Sequence, residues 1–386
     1  MKKLAITILL CTFSMITFSQ EQIVFIRQNK QWQIADLDGN ILMDKKFDYL
    51  WTNYFNLAPP PTKKTLVYRP KNGLFRFKPK GHRMGYLDIN ENWKLKPAYH
   101  HAANFKENYA AVSFYDDFFF INEKGDDVFK KIYSEIGNFS DGIAWVKVGL
   151  KYQVIDTSGL FISELSFSET KNSSQGFMIV EYKGKARFLN KEGEFLNDLA
   201  FSDARSFKNG YAAVKKRGKW GFINLKGEIV VDLIYDNIKD MNEGIAAVKK
   251  SGAWGAIDNE GKEIIRIDFG FVGDCINDII RVKKVLSTSF FYNKNRKRQF
   301  QQEFEDARDF SNGLAAVKVD GLWGYVNRNG EIKIKPTYQI AHHFKKDHAR
   351  VKIYEKWGII NKKGEFTIEP RYRNVEGPYF IDDWEK

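Results

Sequence analysis

Side chains able to do chemistry are present in this sequence, but few stand at a working spacing. The histidines are His82, His100, His101, His342, His343 and His348. A bound metal needs several ligands converging with held geometry. Neighbouring histidines on an extended chain point to opposite faces, so His100-His101 and His342-His343 each offer one ligand per face, and only His343 and His348 could meet locally. No metal site is expected. Carboxylate pairs occur at Asp116-Asp117, Asp126-Asp127 and Asp382-Asp383. Glycosidases use two carboxylates, yet these pairs fall in or near turns, where a solvated acid is ordinary. No Gly-x-Ser-x-Gly elbow, Cys/His pairing or phosphate-cradling glycine loop is seen. The residues therefore point to no catalytic group and no cofactor, and a hydrolase with an unrecognised site is a third reading only.

Binding chemistry is more visible. Lys294, Arg296, Lys297 and Arg298 form a basic run broken only by Asn295. Such a run is a candidate contact for an anion or a membrane surface, and otherwise a solvated loop. Trp51, Tyr54 and Phe55, followed by Pro59-Pro60-Pro61, make an aromatic, proline-rich stretch that could cover an end of the molecule or hold a partner. The net charge is +13, which favours anionic partners: lipid head groups, acidic glycans, acidic proteins.

The N-terminus reads as an export signal. Lys2 and Lys3 precede an apolar stretch from Leu4 to Phe18, and Thr17-Phe18-Ser19 offers small residues where a signal peptidase inspects them. Residues 1–19 are taken as a signal peptide and 20–386 as a single repeat domain, periplasmic, outer-membrane-associated or extracellular. No transmembrane segment is expected after signal removal, and nucleic acid is not an expected partner. Cys11 would leave with the signal, so Cys275 would be the only thiol, and an intramolecular disulfide is excluded.

What positions these residues is a repeat. Trp-Gly recurs at Trp220-Gly221, Trp254-Gly255, Trp323-Gly324 and Trp357-Gly358, at intervals of 34 or a near multiple. The same period runs back through Ala186, Tyr152, Phe118 and Met84, a degenerate copy sits at Ser289-Phe290, and Trp32 heads the first copy. The interval after Trp32 carries 18 extra residues, an insertion within about 48–76. Positions not used to set the register agree with it. Four residues after each anchor stands Asp or Asn in all ten copies, and fifteen after stands Phe or Tyr, from Phe47 to Tyr372. Gly stands seven after the anchor except at Glu91 and Arg296. Asx followed by Gly is turn chemistry. The short apolar runs on either side read as strands, so one unit is a three-stranded meander. The tryptophans at 32, 220, 254, 323 and 357 are read as core between units, and Cys275, at a position where other copies carry Phe or Met, as buried. Asp203-Ala204-Arg205 and Asp306-Ala307-Arg308 recur at matching connector positions and suggest ion pairing at unit junctions.

These residues resemble the WG-repeat family. Phe310 to Val317, Trp323 to Asn327, Gly330 and Pro336-Thr337-Tyr338 carry nearly the whole family pattern, and the Trp220 and Trp254 copies carry most of it. The copies near 118, 152, 186 and 289 rest on periodicity. The resemblance implies a repeat scaffold, common in exported or envelope proteins of bacteria, with no catalytic residues to carry over. The expected fold is all-β: about ten units of 34 residues stacked as an open superhelix or solenoid, with a closed propeller-like ring as the alternative. The expected function is a non-enzymatic envelope scaffold binding a protein or an anionic polymer. A carbohydrate-binding module, with exposed aromatics stacking on sugars, is the alternative.

Overall fold

The computed structural model describes residues 22–51, 66–68, 74–285 and 287–380. The expected signal peptide lies outside them, as do Tyr54 and Phe55.

The Trp323 copy shows how the sequence makes one unit. Leu314–Val319 and Leu322–Asn327 pair antiparallel, from Leu314 opposite Asn327 to Val319 opposite Leu322. The link is Asp320-Gly321, both at left-handed φ (49° and 78°), the geometry whose twist matches paired strands. Asn327 then turns the chain. Its Oδ1 accepts the N–H groups of Asn329 and Glu331, both at 3.0 Å, and Gly330 takes a φ of 86° that other residues adopt only with strain. A third strand, Ile332–Tyr338, returns along the second with a shift of register beside Gly324. Most connectors supply a short edge strand. Here Asp306–Ala307 pairs with Val317 and Lys318, and the sheet has four strands.

The described residues form ten sheets of two to five strands and no helix. They also form ten apolar clusters, each shared by two sheets. One joins Phe291, Phe304 and Phe310 to Ala315 and Val317, and the next joins Leu314, Tyr325 and Tyr338 to Phe344 and Val351. Each fully buried aromatic or aliphatic side chain contributes about 2 kcal/mol through burial. The units are therefore held by their shared faces, as expected of stacked repeats.

An open stack of ten sheets would share nine faces. The tenth cluster joins Ile359, Ile368 and Tyr372 of the last unit to Val24, Ile26 and Ala35 of the first. The C-terminal strand Asn374–Phe380 also pairs antiparallel with the N-terminal strand Gln22–Gln28, in the place a short connector strand takes elsewhere. The stack is thus continuous through its two ends, the ring-like arrangement of the two expected. A ring has no terminal unit to cover. The insertion instead widens the second sheet, where Leu66–Tyr68 lies between Tyr49–Trp51, to which it runs parallel, and Phe75–Lys78.

Candidate functional site

The Trp-Gly pair is explained by its surroundings. A Cβ on Gly324 would stand 2.5 Å from the Ile334 carbonyl oxygen, and one on Gly221 2.3 Å from that of Val231. Glycine is required because the bulged third strand crosses directly against it. The indole beside it turns into the unit junction. Trp32 and Trp220 are 7% exposed and Trp323 8%, while Trp254 and Trp357 are half-buried. Gly221, Gly255, Gly324 and Gly358 thus serve backbone packing, and the buried Trp32, Trp220 and Trp323 leave no open face for a sugar ring to stack on.

Every one of these five indoles carries a cation over its ring: Arg27 on Trp32 at 5.7 Å, Arg205 on Trp220 at 4.8 Å, Lys239 on Trp254 at 6.0 Å, Arg308 on Trp323 at 5.2 Å and Arg350 on Trp357 at 4.8 Å. A cation over an indole face gains from the ring quadrupole. Most of these cations belong to a column at the unit junctions. It is fed from two neighbouring positions: Arg205, Lys239 and Arg308 follow a short strand and Lys171 follows the isolated bridge at Thr170, whereas Arg76, Arg281 and Arg350 come from the strand beside it. The backbone N–H of Arg205 donates to the Ala213 carbonyl and that of Arg308 to Ala316, both at 2.8 Å, so a large side chain on one strand faces a small one on the other. Where glycine takes the first place, as at Gly273, arginine takes the second, as at Arg281.

The column ties each unit to the next. Arg76 Nη1 donates to the Ala102 carbonyl at 2.9 Å, Lys171 Nζ to Ala204 at 2.8 Å, Arg205 Nη1 to Ile238 at 2.6 Å, and Arg350 Nη1 to Val375. Acids of the next unit complete it: Lys239 stands 3.7 Å from Asp274, Arg281 2.8 Å from Asp309 and Arg350 2.8 Å from Glu376. Asp240 stands 4.0 Å from Arg205, so the Asp-Ala-Arg motif at 203–205 pairs across a junction, though not through its own aspartate. Sequence reasoning did not find the column, because the cation alternates between two strand positions and shows no single period.

A second ladder runs along the turns. Glu107, Asp141, Gln175 and Glu243, all at left-handed φ, accept backbone N–H groups of the next unit. Glu243 takes those of Asn277 and Asp278, both at 2.8 Å. Cys275 is buried there, with Sγ 3.5 Å from Glu243 Oε2. Burial, then the Glu243 charge, pushes its thiol up to about 12, which makes it inert as a nucleophile at neutral pH.

The basic run is largely engaged. Lys294 pairs with Asp278 at 2.8 Å, and Arg298 pairs with Glu303 at 2.9 Å while lying 4.2 Å over the Phe290 ring. Arg296 occupies the glycine place of its turn at φ 65°, and it and Lys297 are exposed. Lys284, Thr288 and Arg298, all bonded to Glu303, hold its carboxyl down to about 2. The backbone of Trp51 lies in the strand Tyr49–Trp51, and Tyr54 and Phe55 lie outside the described residues. The histidines are dispersed. His100 Nδ1 accepts the Tyr115 N–H at 2.8 Å, and His342 Nε2 lies 3.1 Å from Arg350 Nη2. Burial, then Arg350 and Arg308, pulls His342 down to about 3. Among the described residues no three His, Cys, Asp or Glu side chains converge as a metal site would need, and no helix is long and apolar enough to cross a membrane.

This fold of bulged, Trp-Gly-marked units defines the class, and comparison with known proteins agrees. The WG containing repeat matches at 84–116, 118–152, 187–220, 220–252, 254–284, 301–323, 323–357 and 357–379. The chain belongs to the WG-repeat family. Compared with curated proteins, it matches none. Among solved structures it is similar to a eukaryotic initiation factor (14% identity, TM-score 0.47, covering 81% of this chain and 95% of that one). It is also similar to the dihydro-heme d1 dehydrogenase NirN (12% identity, TM-score 0.43, covering 94% and 75%) and to BamB from Moraxella catarrhalis (9% identity, TM-score 0.32, covering 79% and 98%).

Proposed function

We propose that this WG-repeat protein is an exported, non-enzymatic scaffold of the cell envelope that binds a protein or an anionic polymer. Export rests on the N-terminal sequence pattern. The observation that carries the binding reading is the division of labour around the ring. Indoles, phenyl rings and most junction charges are consumed in holding units together, while the repeated turns stay exposed and carry surplus cations such as Lys124, Lys226, Arg296 and Lys297. With a net charge of +13 over the whole sequence, +11 once Lys2 and Lys3 leave with the signal, that surface favours an anionic partner. Two measurements test the reading. Fractionation of the producing cell should find the chain outside the cytoplasm. The immobilised chain should retain a defined envelope component that raised salt releases, since exposed charges are screened within about 10 Å at 0.1 M salt. Cytoplasmic recovery, or no retained component at low salt, would refute it.

A further inference from the structure

Arg308 stands out within the junction column. Among the described residues its guanidinium makes no hydrogen bond and no ion pair, and its Nε is buried without a partner. Its counterparts at 76, 205 and 350 each grip a carbonyl of the next unit. The neighbouring units make matters worse for it. Arg281 and Arg350 flank it, and each already holds its own acid, Asp309 and Glu376. Desolvation pulls Arg308 below its ordinary range, against the Asp306 carboxylate and Tyr325, and the charges of Arg281 and Arg350 add to it; the Arg308 charge is felt in turn by His342 and His343, which are also pulled down. A half-buried guanidinium whose Nε is buried without a partner, and whose outer nitrogens make no hydrogen bond to the described residues, has donors that an anion could take. The guanidinium lies 5.2 Å over the Trp323 ring centre.

We propose that Arg308 is an oxyanion site, taking a phosphate-type group, free or as a monoester, on the unpaired edge of its guanidinium. The planar fork matches two oxygens of such a group. The site does not rest on the scaffold reading, because it needs only the junction geometry and stands whether or not an envelope partner exists. The test is calorimetric titration of the purified chain with inorganic phosphate, and separately with glycerol phosphate, at constant ionic strength. Tryptophan emission is followed in parallel, because Trp323 lies under the ligand. Saturable binding with a Kd of about 1 mM is expected. R308Q should weaken it at least about tenfold, with R308K falling between. R205Q should leave it unchanged, since Arg205 already bonds Ile238. Because the Arg308 guanidinium makes no hydrogen bond or ion pair among the described residues and stacks only on Trp323, R308Q should lower the thermal midpoint only slightly. Saturation by phosphate alone identifies the free ion, and saturation by both probes identifies an esterified group; either upholds the proposal. Absence of saturation with both probes overturns it, as does R308Q binding at parental affinity.

Discussion

Five copies of the unit carry glycine after the anchor, at Gly85, Gly221, Gly255, Gly324 and Gly358, and five carry Gln33, Phe119, Gln153, Arg187 or Phe290 instead. Each glycine copy completes its sheet with a seven-residue strand: Trp93–Tyr99, Ile229–Tyr235, Glu263–Phe269, Ile332–Tyr338 and Phe366–Tyr372. In the others the same segment touches the sheet only through isolated bridges, such as Phe118 with Tyr133 and Tyr152 with Phe167. A second position divides the copies in the same way. Eleven residues after the anchor the glycine copies have Leu95, Val231, Ile265, Ile334 or Ile368, and Ile334 pairs directly with Tyr325. The others have Met43, Phe129, Ser163, Asn197 or Phe300. A missing side chain admits the bulged strand, and an aliphatic residue suited to a pleated face holds it there. In the Ser289 copy, where glycine is lost, the segment is held by other means: an aromatic plug at Phe300 and a charged tether at Glu303.

The plug is the most sensitive point of a strandless copy. Phe300 is buried at 8% exposure against Phe291 (5.5 Å between ring centres) and Phe304 (6.2 Å). F300A should cost about 4 kcal/mol, read as a fall in the denaturant midpoint, with hydrogen exchange rising first in residues 299–304. In a glycine copy the weak point is the glycine. G324A puts a Cβ 2.5 Å from the Ile334 carbonyl and 2.7 Å from the Pro336 nitrogen. Both are backbone atoms, so the strand must move, at a cost of about 3 kcal/mol. If G324A proves no more costly than Q153A, which surface statistics place within about 0.5 kcal/mol, the steric account of Trp-Gly is wrong.

The tether separates the two classes by pH. In the Ser289 copy the segment is held through Glu303, bonded to Lys284, Thr288 and Arg298. Its carboxyl is held down to about 2, against an ordinary value of 4.5. A depressed acid adds stability in full above 4.5 and loses it as pH falls towards 2. E303Q should therefore lower the thermal midpoint at pH 7, by a small amount given the partial exposure of the pairs, and the gap from the parent should close by pH 2. A gap that persists at pH 2 would mean that packing, not charge, holds this segment.

How far the sequence discloses this depends on range. The Asx-Gly turns, the aromatic column and the burial of Trp220 and Trp323 are local or strictly periodic, and the sequence shows them directly. The short connector strands are two residues long, below what any pattern of alternation can reveal. Closure of the ring joins Ile23 to Tyr379 and Ile26 to Val375, pairings between chain ends that nothing in the 34-residue period encodes. The junction cations escape for a different reason. Arg205 and Arg281 do the same work from opposite sides of a strand pair, so aligning copies by position scatters them into two half-filled columns.

The smallest effect is the most informative about sufficiency. Gln153 follows the anchor Tyr152, whose segment bridges back only at Phe167 and, through Ile155, at Phe161. Q153G removes the side chain that a bulged strand would meet, at a backbone entropy cost of about 0.5–1 kcal/mol. It leaves Ser163 where the glycine copies have Leu, Val or Ile, so no strand should form and amide protection across 161–167 should stay at the parental level. Protection that rises there would show glycine alone to be enough, and the aliphatic residue eleven places on would lose its part in the account. Protection that rises only in Q153G/S163I would show that both are needed: glycine makes room for the strand, and the aliphatic side chain binds it.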